Sequence, residues 1–68
     1  MTVKDLINSF TIQGAFCIKE WNWEKGDYTI LASGNDFECE YFDIADGVLE
    51  SGITYIYAID GIMTIEVE

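Results

Sequence analysis

Ile53-Thr-Tyr-Ile-Tyr-Ala-Ile59, then Asp60-Gly61, then Ile62-Met-Thr-Ile-Glu-Val67 is the stretch that decides the fold. Two runs rich in β-branched and aromatic residues flank a two-residue Asp-Gly, the signal of a β-hairpin closed by a type I′ turn. A lone hairpin is marginal in water, so this one needs a sheet to join. Working upstream, Ala15 to Trp21 and Tyr28 to Ser33 have the same strand character, with Asn22 to Asp27 as their connection and Gly26 in its turn. Gly34-Asn35 reads as another two-residue turn, which makes Asp36 to Phe42 a strand antiparallel to the one before it. Along that segment Asp36, Glu38 and Glu40 alternate with Phe37, Cys39 and Tyr41, the period-two pattern of a half-buried strand.

Two helices complete the expected elements. Thr2-Val-Lys-Asp5 has the form of a capping box, and Val3, Leu6, Ile7 and Phe10 follow at helical spacing over about two turns. Asp43 to Ser51 carries Ile44, Val48 and Leu49 at i, i+4 and i+5 and stops before Gly52, which predicts a short second helix weakened by Gly47. The fold expected is therefore α+β: a mainly antiparallel sheet of about five strands, with an N-terminal helix and a short second helix packed on one face. Phe16, Ile18, Ile30, Ile56 and Ile65 are the candidate core of the sheet. At 68 residues, with no proline, repeat or linker, the chain reads as one small domain, residues 1–68.

Composition narrows the function. Aromatics make up 15% of the chain and apolar residues 50%, too many for a disordered acidic tail. No apolar run approaches the roughly 18 residues needed to cross a bilayer, and the N-terminus lacks the apolar core of a signal peptide, so a cytoplasmic protein is expected. The two cysteines, Cys17 and Cys39, are too few for a disulfide framework and are expected as small buried filler.

The three Lys (Lys4, Lys19, Lys25) balance Asp5, Glu20 and Glu24, so the whole net charge of −10 falls after Lys25. Such a surface repels nucleic acid and anionic lipid, which excludes direct binding to either and points to a basic protein surface, one candidate being a nucleic-acid-binding enzyme. Charge density tests that idea. Spread over roughly 4,300 Å² of folded surface, the net charge is about fourfold more dilute than that of B-DNA, taken as a cylinder with one charge per about 1.7 Å of axis. Imitating nucleic acid therefore requires concentration on one face. Asp36, Glu38 and Glu40 on one side of a strand, and Asp43, Asp46 and Glu50 as a stripe at i, i+3 and i+7 on a helix, are the candidates.

Trp21 and Trp23, on one side of a strand and its end beside polar Asn22, Glu24 and Lys25, are candidate anchors for the same partner. Tyr55 and Tyr57 are expected as packing. Catalysis is not expected: there is no His and no Arg, no phosphate-binding glycine loop, no metal-binding motif, and neither cysteine has an imidazole base. Asp43-Ile-Ala-Asp46-Gly47-Val-Leu-Glu50 lacks the alternate acids of a calcium loop. Neither cofactor nor metal is expected.

The opening Met1-Thr-Val-Lys-Asp-Leu-Ile7 and the close Tyr55-Ile-Tyr-Ala-Ile-Asp-Gly-Ile-Met-Thr-Ile-Glu-Val67 resemble small acidic proteins of phages and integrative elements in Gram-positive bacteria. The resemblance implies a mobile-element setting in which such proteins act as anti-CRISPR or antirestriction inhibitors. It carries no functional residue over. Two expectations follow: an acidic inhibitor that occupies the nucleic-acid-binding surface of a defence enzyme, or a non-catalytic structural or assembly module, including a homodimer, whose acids only confer solubility.

Overall fold

The computed structural model describes residues 1–9, 13–37 and 43–68. Helix α1 (Val3–Ser9) starts with the reciprocal bonds of a capping box. The Asp5 amide donates to Thr2 Oγ1 at 3.1 Å, and the Thr2 amide donates to Asp5 Oδ2 at 3.0 Å, satisfying two donors the helix leaves open. These bonds, led by the one from the Thr2 backbone, hold the Asp5 carboxyl below its ordinary value. The helix buries Val3 and Leu6 on the face their spacing defines.

Strands β1 (Phe16–Asn22) and β2 (Asp27–Gly34) form one hairpin, and β3 (Ile53–Ile59) and β4 (Ile62–Val67) form the other. Asp60 at φ 52 and Gly61 at φ 75 give the latter the paired positive dihedrals of a type I′ turn, which matches the natural twist of the strands. The hairpins lie side by side in the order β2-β1-β4-β3. Their inner strands pair in parallel, Phe16 with Met63, Ile18 with Ile65 and Glu20 with Val67. A parallel pair requires a long connection between its strands. Between the hairpins, the segment from Asn35 to Gly52 carries helix α2 (Asp46–Leu49) and brings Phe37 and Ile44 into the core.

The α+β class stands, with two corrections to the sheet. It has four strands among the described residues instead of about five, and although two of its three pairings are antiparallel, the central pair is parallel, which makes the sheet mixed. The expected strand from Asp36 to Phe42 is not seen where it is described. Gly34 is the last residue of β2, opposite Phe16. Neither Gly34 nor Asn35 has the positive φ that a two-residue turn of this kind demands. Phe37 instead turns inward, donating its amide to the Gly14 carbonyl at 3.0 Å and setting its ring edge-on to Phe16 at 4.7 Å. Residues 38–42 lie outside the described set.

The core is Val3 and Leu6 from α1, Phe16 and Ile18 from β1, Phe37 and Ile44 from the connection, and Ile65 and Val67 from β4. Its buried sheet residues come from the inner strands alone, with Leu31, Ala32 and Ile53 of the outer strands packed at its margin. Two expected core residues are consequently exposed. Leu31 is an extra residue in β2, since Ile18 faces Ala32 while Lys19 faces Ile30. A bulge reverses the alternation on one side of itself, so Leu31 packs on the core and Ile30 turns to the opposite face, 63% exposed. Ile56 lies across from buried Ile65, yet remains 46% exposed, because the helical layer stops short of β3.

Candidate functional site: the open face of the sheet and its acidic surroundings

The helices and the connection cover one side of the sheet, and no described helix lies over the other, the open face. Its centre is closed by its own side chains, with Thr64 buried and Cys17, Lys19 and Glu66 half-buried. On β1 the alternation that buries Phe16 and Ile18 sends Cys17, Lys19 and Trp21 to the open side. The register then places Tyr28 and Ile30 of β2 beside Trp21 and Lys19, and Thr64 and Glu66 of β4 beside Cys17 and Lys19. Tyr55 and Tyr57 of β3 follow across Glu66 and Thr64. The two tyrosines expected as packing are thus surface residues, with Tyr55 66% exposed.

A line of rings crosses the β1–β2 end of this face. Trp23 meets Trp21 with centroids 5.8 Å apart at 79°, and Trp21 meets Tyr28 at 5.1 Å and 81°. Both contacts are edge-to-face, the geometry favoured by the ring quadrupoles. Lys19 Nζ lies 4.0 Å from the Tyr28 centroid and 5.8 Å from that of Tyr57, within cation–π range of both. A hydrogen bond with Tyr57 raises the Lys19 pKa, and a hydrogen bond with Glu66 raises that of Tyr28. Lys19 of β1 thus links the rings of β2 and β3 across the open face, with Glu66 of β4 close enough to act on the charge of Lys19 and Tyr28.

Trp23 is placed by the turn. The Gly26 amide donates to the Asn22 carbonyl at 2.9 Å, and Asn22 Oδ1 accepts from the amides of Glu24 and Lys25 at 3.0 and 3.2 Å. Gly26 takes φ 67, a conformation glycine adopts without steric cost. Asparagine at the turn's entry thus organises its backbone. The result is an indole 87% exposed on a fixed mount, between Asn22 and Glu24 in sequence.

The acidic candidates are distributed differently from expectation. Asp36, Asp43, Asp46 and Glu50 are all exposed. Asp36 lies just beyond β2 and is not in a strand, whereas Glu38 and Glu40 lie outside the described residues. Asp43, Asp46 and Glu50 do not form a stripe on one helix, since α2 holds only Asp46–Leu49. Ala45, with ψ 144, breaks the helical path before it, Ile44 is buried as an anchor, and Glu50 is the C-cap. With 4587 Å² of accessible surface and a net charge of −10, an even coat gives about 460 Å² per charge, as dilute relative to DNA as the sequence implied.

Cys17 is half-buried with a free thiol, not core filler. It lines a shallow cleft with Ser33, Asn35 and Ile62, because the alternation that buries its two neighbours turns it outward. Cys39 lies outside the described residues. Among the described residues no three His, Cys, Asp or Glu side chains are grouped to hold a metal ion, and no helix is long and apolar enough to cross a membrane. No family model matches the chain, and neither a curated protein nor a solved structure does.

What sequence reasoning missed is the open face as a unit. Lys19, Tyr28, Tyr57 and Glu66 carry no motif, and only the pairing register brings them together.

Proposed function

We propose that this protein is a non-catalytic acidic binding module that docks on a basic protein surface through the Trp21/Trp23 end of its open sheet face. The observation that carries this reading is the exposed Trp23 indole, held against Trp21 by ring contact and by a turn pinned on Asn22. A fixed, exposed Trp costs little entropy to dock, and Trp is the residue type most enriched at binding hot spots. Charge supplies direction. With a net charge of −10, the chain accelerates encounter with a basic partner and disfavours acidic ones.

A more specific form of the reading is an inhibitor that occupies the nucleic-acid-binding surface of a defence enzyme, as the resemblance to mobile-element proteins implies. It is supported by the segregation of the net charge after Lys25 and by the exposure of Asp36, Asp43, Asp46 and Glu50. Glu38 and Glu40 extend the same acidic segment in sequence. The alternative, a structural or assembly module, is favoured by a different observation, the bare outer strand β3.

Affinity capture from a Gram-positive lysate, at low and high salt and with added DNA duplex, tests the proposal. A captured protein that is released by salt and displaced by duplex supports it. Trp23→Ala should weaken capture at least tenfold, in line with a hot-spot loss of about 2 kcal/mol. Capture that is insensitive to salt, to duplex and to both Trp23→Ala and the paired Glu38→Lys/Glu40→Lys change overturns it.

A further inference from the structure

β3 is uncovered in three directions. From Thr54 to Ile59 every residue is exposed, so both faces of the strand are open, and no described strand lies beyond its outer edge. The N-terminal residues cover only its beginning: Thr2 bridges Gly52, and the Ile53 amide donates to the Met1 carbonyl at 2.8 Å. A two-residue hairpin makes Ile59 and Ile62 a hydrogen-bonded pair. By alternation Tyr57 with Thr64 and Tyr55 with Glu66 are hydrogen-bonded too. The amide and carbonyl groups of Ile56 and Ala58 therefore point outward. Long uncharged edges of this kind are normally blunted by Lys, Pro or a strand twist, because they invite another strand. Ile53–Ile59 contains no charged residue and no proline.

The geometry points to a homodimer formed by antiparallel pairing of β3 with β3 of a second copy, about a two-fold axis at Tyr57. This goes beyond the proposed docking function and uses the opposite edge of the sheet.

Two arguments select a second copy as the occupant. One is complementarity of the strand with itself. Pairing Ile56 with the partner's Ala58, and Ala58 with the partner's Ile56, satisfies the four outward groups of each chain. That register sets a large side chain against a small one on the helical side. On the open side it sets Tyr55 against the partner's Ile59, with the two Tyr57 rings meeting at the axis. Aromatic with β-branched residues and aromatic with aromatic are the favoured cross-strand pairs. An isologous contact needs this self-matching.

The other argument is charge. A basic partner gains nothing from an uncharged strip, whereas a second chain of net charge −10 can approach most readily where the surface is neutral. The strip is small. Pairing over about six residues buries on the order of 1,000 Å² in total, the lower limit for a specific interface. A dimer constant in the micromolar range is expected.

Like-charged copies repel, so screening should strengthen the dimer as salt rises, the reverse of the expected salt effect on a basic partner. Sedimentation equilibrium over concentration and salt reads this sign directly, and it separates failure of the dimer from failure of the docking function. The expected result is a monomer–dimer equilibrium that tightens with salt, with amide exchange at Ile56 and Ala58 slowing as concentration rises. Ala58→Pro removes an outward donor at a position where proline is tolerated on an edge, and it should weaken the dimer at least tenfold. Ile56→Lys, at a side chain already half-exposed, should do the same and serves if the proline variant does not fold. A protein that stays monomeric at high salt and near-millimolar concentration overturns the proposal. So does a dimer that both folded variants leave unchanged, and so do species larger than a dimer, which would require β2 as a second pairing edge.

Discussion

The two hairpins are built from similar material and end up with opposite surfaces. In β1–β2 the bulge at Leu31 turns one apolar side chain under the helical layer and rotates the strand that follows it, and charged residues stand at its turn end. In β3–β4 the turn is minimal, the outer strand carries no charge, and neither of its faces is covered. The first edge is interrupted by its bulge, a feature that discourages strand pairing, and the turn beside it offers one fixed indole. The second has its own irregularity at Thr54, but from Tyr55 to Ile59 it keeps an unbroken register and is exposed. An edge strand's behaviour is thus set less by its hydrophobicity than by whether a bulge or a charge interrupts it.

The comparison breaks entirely if the hairpins are not one cooperative unit. Ile18 and Ile65 are fully buried and adjacent across the parallel pair that joins them. Ile18→Ala should cost about 3 to 4 kcal/mol, a large part of the stability of a domain this size. Urea unfolding should show one transition with a shifted midpoint, and separate transitions for the two hairpins would refute the joint core. Next in size is Gly61→Val in the tight turn, where a β-branched residue at φ 75 should cost on the order of 1 to 2 kcal/mol. The same change at Gly26 should cost a similar amount, so the two turns can be ranked by thermal melting.

Smaller effects separate surface from scaffold. Thr2→Ala removes one of the two capping-box bonds and should lower Tm by about 4 to 8 °C. The Asp5 share of that box depends on pH. Its folded value lies below the ordinary 3.8, so the charged carboxylate favours the folded state. That contribution is complete above the ordinary value and is lost as pH falls through the depressed one. The gap in Tm between the wild type and Asp5→Asn should therefore close in acid. At the other end of the scale, Lys19 and Tyr28 have raised folded values. Their contribution is present at neutral pH and fades as pH climbs past the ordinary Tyr and Lys range; Lys19→Met should remove the lysine share and leave the share that Tyr28 owes to Glu66. Trp23→Ala is the smallest for stability, within about 0.5 kcal/mol for so exposed a residue, even where it abolishes partner binding.

Features governed by a few consecutive residues were legible in advance. The Thr2/Asp5 box, the Asp60-Gly61 turn and the four described strands lie where spacing placed them, to within about a residue. Gly34-Asn35 misled because the dipeptide permits a turn without compelling one. The Phe37 ring packs edge-on to Phe16 instead, a long-range contact that the dipeptide does not encode. Ile30 was misassigned because one inserted residue reverses the alternation, and Leu31 carries no sign of that. The exposure of Ile56 depends on how far the helical layer extends and that of Tyr55 on the lack of a described layer over the opposite face, neither of which a local pattern encodes. For the same reason the pairing of Trp21 and Trp23 beside a turn was legible and the acidic stripe was not: a turn is local, whereas a stripe needs a helix that Ala45 interrupts.

The indole pair has an optical consequence. Two indoles with centroids 5.8 Å apart and planes at 79° couple their excited states, which should add an exciton couplet to the far-ultraviolet circular dichroism of the sheet. Trp23 should also emit at the long wavelengths of a hydrated indole. Because these are the only tryptophans in the chain, both signals report the turn end of the β1–β2 hairpin. Without any label, they distinguish a ligand seated on Trp23 from a second copy bound at the far edge of the sheet.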